Sequence, residues 1–419
     1  MRRLLVLSAF LVAIMAACGG EEAEHTPTPT PTPSPTAAQP SPTPESSPTP
    51  TATREPAVQR FAYVGTDSDI WIINADASDQ QKVLDIETEP GTFVNGPWWA
   101  PDGGKLAVVK SNYRVEAPIN ELTYIVSADG ESLLELPSIK FLAWLPRGET
   151  FFGRRAGVDV EPALLVLDLQ GTTVNELSGV GSFSGTSFAA DGQHLAFLQD
   201  VTPPGEPGGM CGLLRGFYAD IQTGEVRPID PDEQPEDCGK GAVLFSPTDP
   251  SLLAYGDGLF DLDTGEQHRL PAEATSWSPD GQRLLLIPQS CDRVHVYDVE
   301  TGASLLEFDI TVQVYEGSCW LFTPRVSAWS PDSRHVATSD SLISEATEAR
   351  VVHIREIATG DDRTISIAGP IKGAASPQFS PDGRYLLFLG PSGIWVAGSD
   401  GSDPASVAEG SQPAWRPTR

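Results

Sequence analysis

The sequence predicts an all-β protein, a single β-propeller of eight four-stranded blades, with seven blades as the alternative count. Three observations predict it. An aromatic signature recurs eight times after residue 57, a turn signature recurs between its copies, and the stretches joining the two read as short apolar strands. Hydrophobic residues make up 40% of the 419-residue chain, enough for a core, which excludes a fully disordered protein. Lys and Arg number 27 against 57 Asp and Glu, a net charge of -30. A polyanion repels phosphates and anionic headgroups, so nucleic acid and bare anionic lipid surfaces are not expected partners.

The chain opens with Met1-Arg2-Arg3, then an apolar run from Leu4 to Ala17 that is shorter than a membrane-spanning helix. It ends in Met15-Ala16-Ala17-Cys18, which resembles a bacterial lipobox with Met15 in place of the usual Leu. The resemblance implies that residues 1–17 are a lipoprotein signal peptide and that Cys18 carries the lipid. Residues 18–56 form the next segment, and 26–53 read TPTPTPTPSPTAAQPSPTPESSPTPTAT. Alternating proline favours extended polyproline II and leaves no apolar period for a core. This segment is expected to be a stalk that holds residues 57–419 off a membrane at the cell envelope, outside the cytoplasm.

Within 57–419 the first signature is an aromatic followed by Ser-Pro-Asp in three copies and by variants of it in the other five. Its hubs are Trp99, Trp144, Phe188, Phe245, Trp277, Trp329, Phe379 and Trp415, spaced 32 to 57 residues apart. The aromatic ends a strand, Pro and Asp suit the centre of a type I turn, and Gly closes the hairpin, as in Pro279-Asp280-Gly281. An apolar second strand follows, such as Leu284-Leu285-Leu286-Ile287. A third strand runs into the second signature, such as Thr223-Gly224, Thr264-Gly265, Thr301-Gly302 or Thr359-Gly360, and a more polar fourth strand leaves it. Four antiparallel strands per repeat of about 45 residues make a propeller blade. The last hub, Trp415, lacks downstream strands, and the first strands after Phe61 lack a hub. The C-terminal strand is therefore expected to pair with the N-terminal strands and remove the open edges. The 32-residue interval between Phe245 and Trp277 is the tightest fit and motivates the seven-blade alternative.

The Trp-Ser-Pro-Asp-Gly unit resembles the Trp-Asp-like repeats of TolB-type propellers, and the resemblance covers about residues 57–419. It implies a non-enzymatic module that works through protein contacts at the envelope. Prolyl-oligopeptidase-type enzymes carry similar blades, but no Gly-x-Ser-x-Gly elbow occurs in this chain.

Beyond Cys18 there are four cysteines, Cys211, Cys238, Cys291 and Cys319, which allow three pairings. In the repeat frame, Cys211 with Cys238 and Cys291 with Cys319 are each locally reachable, whereas crossed pairs span different blades. A metal site is not expected, because the cysteines and the six histidines are scattered. No cofactor and no catalytic residue is assigned. His194 and His335 flank hub turns, and the Asp67/Asp69 and Asp261/Asp263 pairs read as turn caps rather than Ca²⁺ ligands. Long insertions at 111–121, 201–212, 230–240 and 339–350 fall on the cysteine side of the repeats. The resulting expectation is a monomeric, lipid-anchored binding or scaffold propeller with a protein or small-ligand partner. The alternative is an enzyme, or a sugar or peptide sensor, with its site in the central funnel.

Overall fold

The computed structural model describes residues 58–112, 120–155, 163–177, 180, 183–203, 213–232, 236–237, 241–288, 290, 292–310, 327–339, 349–368 and 376–418. By contacts the chain divides into Met1–Glu55 and Pro56–Arg419. The lipobox Cys18, the stalk and all four other cysteines lie outside the described residues.

Every regular element among the described residues is a β-strand, and the strands assemble into eight antiparallel sheets arranged as a ring. The first blade joins the C-terminal strand Gly410–Trp415 to Arg60–Gly65, Ile70–Asn74 and Gln81–Leu84. The remaining blades follow in chain order, beginning at Thr92, Ile139, Phe183, Val243, Glu273, Ser327 and Gln378. The fourth blade gains a fifth strand, Glu236–Asp237, paired with Leu213–Asp220. The short interval does contain a full blade: Val243–Phe245, Leu252–Tyr255, Gly258–Asp261 and Gln267–Arg269. The count is eight, and the seven-blade alternative falls.

Each of the eight hub aromatics is the last residue of its blade's first strand. The turn that follows is specified by its own side chains. In the sixth blade the Ser278 hydroxyl, fully buried, donates to Asp280 Oδ1 at 2.5 Å and accepts the Arg283 amide at 2.9 Å. Ser330 and Ser380 repeat the pattern with Asp332 and Asp382. Gly281 then closes the turn at φ 70°, a left-handed conformation that costs glycine little. Ser333 takes the same place at φ 58° and uses its hydroxyl to accept the Asp280 amide of the preceding blade. Two turns whose residues depart from the Pro-Asp-Gly pattern, Leu145-Pro146-Arg147-Gly148 and Ser246-Pro247-Thr248-Asp249, behave differently. Leu145 to Gly148 keeps the standard turn, whereas at Ser246 the loop is longer by one residue, so that Phe245 pairs with Leu253.

The core is shared between blades. Eight hydrophobic clusters are each built from two neighbouring blades, and one joins Leu387, Ile394 and Val396 of the eighth blade to Phe61, Tyr63 and Trp415 of the first. Apolar second and third strands present both faces to neighbours, as in the fully buried Leu284, Leu285 and Leu286. Fourth strands are more exposed, and Gln267–Arg269 is exposed throughout. This follows from the alternation of side chains: an inner strand is covered on two sides, an outer one meets water.

Candidate functional site

The first strands of adjacent blades touch, so their unpaired edges face the middle of the ring. Indole groups cap that edge. Trp144 Nε1 donates to the carbonyl of Trp98 at 2.9 Å, Trp277 Nε1 to that of Leu244 at 2.9 Å, and Trp415 Nε1 to that of Gln378 at 3.0 Å. Trp329 Nε1 reaches the Ser276 hydroxyl at 3.0 Å. In each case the acceptor residue immediately precedes the hub aromatic of the preceding blade. The tryptophan hubs therefore stitch blade to blade.

Of the titratable groups singled out in the sequence, His194, Asp69 and Asp261 are structural. His194 Nδ1 lies 3.0 Å from Asp191 Oδ2 beside its turn. Asp69 accepts the Ile86 amide at 2.8 Å and pairs with Lys82 at 2.7 Å, while Asp261 accepts the Asp263 and Thr264 amides. Asp261 belongs to a wider Asp-x-x-Thr-Gly pattern that also includes Asp220 and Asp298. Each of these carboxylates caps its turn, and each is held below the usual aspartate range by hydrogen bonds from the Thr that follows. Among the described residues, no group of three or more His, Cys, Asp or Glu is placed to hold a metal ion.

The ring does bring together residues that the sequence reading left apart. A cleft of about 590 Å³ opens between the seventh and eighth blades, on the side of the hub turns. Asp332, Glu356, Asp361, Asp382 and Asp400 line it, with Arg363 and His335 among them and Ile354 and Phe379 contributing apolar surface. Burial pushes the Asp332 and Asp382 carboxyls up, but hydrogen bonds from Ser330 and from Ser380 and Arg384 outweigh it and hold both below the ordinary value. Asp400 is held low by Ser402. Asp332, Asp382 and Asp400 thus present ionised carboxylates to the cleft at neutral pH. Repetition is the only sequence signal for it: consecutive blades place Ser-Pro-Asp at equivalent positions, Asp332 in one and Asp382 in the next, and each adds a carboxylate from its Thr-Gly or Asp-Gly turn, Asp361 and Asp400. A second groove, about 1220 Å³, lies between the fifth and sixth blades and includes Asp257, Arg269, Glu273 and Tyr297. Its charges are mixed, and Arg269 is paired with Asp257 at 3.0 Å.

No protein-family model matches the sequence, and the search of curated proteins finds no match. Solved structures resemble the fold. Dihydro-heme d1 dehydrogenase NirN aligns with TM-score 0.55 at 14% identity, over 85% of this chain and 74% of that one. Dipeptidyl peptidase 4 of Porphyromonas gingivalis aligns with TM-score 0.52 at 11% identity, over 84% of this chain and 58% of that one. TolB from Acinetobacter baumannii aligns with TM-score 0.41 at 18% identity, over 84% and 79%. At such identities the first two establish a shared propeller fold, and chemistry has to be argued from this chain's own residues.

Proposed function

We propose that this chain is a lipid-anchored envelope protein whose propeller is a non-catalytic binding module, and that the cleft between its seventh and eighth blades receives a basic segment of a partner protein. The cleft itself carries this reading. Carboxylates from two blades surround a concavity with an apolar floor, and a lysine or arginine side chain matches both its charged head and its methylene stem. The excess of acidic groups over the whole chain favours approach of such a partner. The Cys18 lipid and the proline-rich stalk, read from the sequence, supply the tether.

Two measurements test the reading. Titration of the protein with a lysine-rich peptide should show saturable binding that weakens with added salt and with Glu356→Gln plus Asp361→Asn. Binding indifferent to both would overturn the assignment of the cleft. Cys18→Ala should abolish lipid labelling and release the protein from the membrane fraction; unchanged labelling would remove the anchor.

A further inference from the structure

A cavity of about 530 Å³ lies between the sixth and seventh blades, on the side of the hub turns, lined by Arg283, Leu305, Ser333, Arg334, Glu356 and Ile357. Arg283 opens the second strand of the sixth blade, and Arg334 precedes that of the seventh by one residue. Arg283 Nη1 donates to the Ser333 carbonyl at 2.9 Å, which carries its guanidinium across the interface onto the seventh-blade turn. The same nitrogen is 3.6 Å from Asp280 Oδ2, beyond a hydrogen bond. Arg283 Nε is buried without an acceptor, and Nη2 makes no hydrogen bond among the described residues. The Arg334 carbonyl accepts the Ile357 amide at 2.9 Å, but its side chain is exposed and forms no ion pair among the described residues. Glu356 accepts the Thr359 hydroxyl at 3.0 Å and pairs with neither arginine. Leu305, 43% exposed, and Ile357 supply apolar surface.

Acidic side chains outnumber basic ones 57 to 27 in this chain, so two arginines in one cavity without a close carboxylate stand out. Guanidinium groups only donate, and they need acceptors. A carboxylate presents two acceptor oxygens in a geometry that matches a guanidinium fork. An inorganic phosphate carries more charge, which Glu356 on the same lining repels, and it leaves Leu305 and Ile357 facing water. A neutral ligand forgoes the charge-assisted bonds. A carboxylate joined to a short branched alkyl group meets both requirements at once. We infer that this cavity binds an apolar carboxylate, with Arg283 and Arg334 as its donors and Leu305 and Ile357 as its apolar wall. Two sources share that chemistry: a small branched-chain acid and the C-terminal residue of a peptide. The site does not rest on the reading of the acidic cleft, with which it shares only Glu356. That residue should act in opposite directions at the two places, favouring a cation in one and opposing an anion in the other.

The test is calorimetric titration of the full chain with 4-methylpentanoate, acetate, 4-methylpentanol, inorganic phosphate, and a short peptide ending in leucine with its C-terminus free or amidated. 4-Methylpentanoate or the free-ended peptide should bind saturably, acetate more weakly, and the alcohol and the amidated peptide not at all. Binding of the small acid without the peptide identifies the first source, and tighter binding of the free-ended peptide the second. Arg334→Gln should weaken binding about tenfold, the scale of a charge-assisted hydrogen bond, without lowering the melting temperature, because the side chain is exposed. Leu305→Ser should weaken 4-methylpentanoate but not acetate. Glu356→Gln should strengthen carboxylate binding while it weakens the lysine-rich peptide, so the two sites can fail separately. Three outcomes overturn the inference: no saturable binding of either carboxylate probe, carboxylate binding that survives Arg334→Gln unchanged, or phosphate binding more tightly than 4-methylpentanoate.

Discussion

The indole Nε1 of Trp99 donates a hydrogen bond to the carbonyl oxygen of Ala414 at 3.0 Å, across 315 residues of sequence. The C-terminal strand therefore belongs to three blades at once. It pairs with Arg60–Gly65 in the first. It accepts the Trp99 indole of the second, and the Gln412 side-chain amide bonds Val94 O at 2.8 Å and Gly96 N at 3.2 Å there. It also sends the Trp415 indole to the eighth. Trp415 packs edge-on against Phe61, with ring centroids 5.6 Å apart.

Removing residues 411–419 should accordingly destabilise the whole propeller. It exposes the edge of Arg60–Gly65 and uncovers the cluster around Phe61 and Tyr63. Trp415→Ala alone should cost about 3–5 kcal/mol, as aromatic truncations in cores do. Thermal melting and light scattering check both. A truncated protein that melts like the parent would show that the C-terminal strand contributes nothing to stability.

Trp99→Phe isolates the indole hydrogen bond from ring packing. It preserves most of the apolar surface and leaves the Ala414 carbonyl without its donor. The expected loss is about 1–3 kcal/mol in chemical denaturation. Phe379→Leu, at a hub without an indole, should show only a packing loss.

Acid should unfold the protein progressively. Hydrogen bonds hold Asp220, Asp261 and Asp298 below the ordinary aspartate value of 3.8, and Asp332 and Asp382 lie below it as well. As pH falls through that value the unfolded chain takes up protons before the native one. The stability that these groups contribute is full above the unfolded value and is lost as pH drops toward the native values. Most of the five are solvent-facing, so each contribution is small and the sum matters. Melting temperature should vary little from about pH 7 to about 5 and then decline below about 4. A flat profile through pH 3 would contradict the capping role.

The cysteine pairing is testable by non-reducing peptide mapping, with Cys211–Cys238 and Cys291–Cys319 as the expected links. The strand pairing of Leu213 with Asp237 draws together the chain segments that flank the first pair. Each bridge closes a loop of roughly 25 residues and should contribute about 3 kcal/mol, so reduction should lower the melting temperature. A Cys211–Cys291 peptide would overturn the assignment.

How much of this was legible in advance depends on the range over which each feature is determined. The hub turns are local. Ser278, Asp280 and Gly281 satisfy one another within a few residues, so the motif alone identifies them, and the eight aromatics at strand ends follow. The exchange of strands between the two termini was legible as well, because an orphan hub and hubless strands complement each other. Local motifs thus specify the blades and the partner of the last strand, while the choice between eight and seven blades rested on the short interval from Phe245 to Trp277, which the structure fills with a full blade. Only the tertiary structure decided which blade faces meet and at what offset. That Lys140 and Arg154 converge on Glu121, that Trp99 finds the Ala414 carbonyl, and that five carboxylates of two blades surround one cleft all depend on how each sheet is rotated against the next. That rotation is the summed result of side-chain packing across eight shared cores, and no short stretch of residues encodes it.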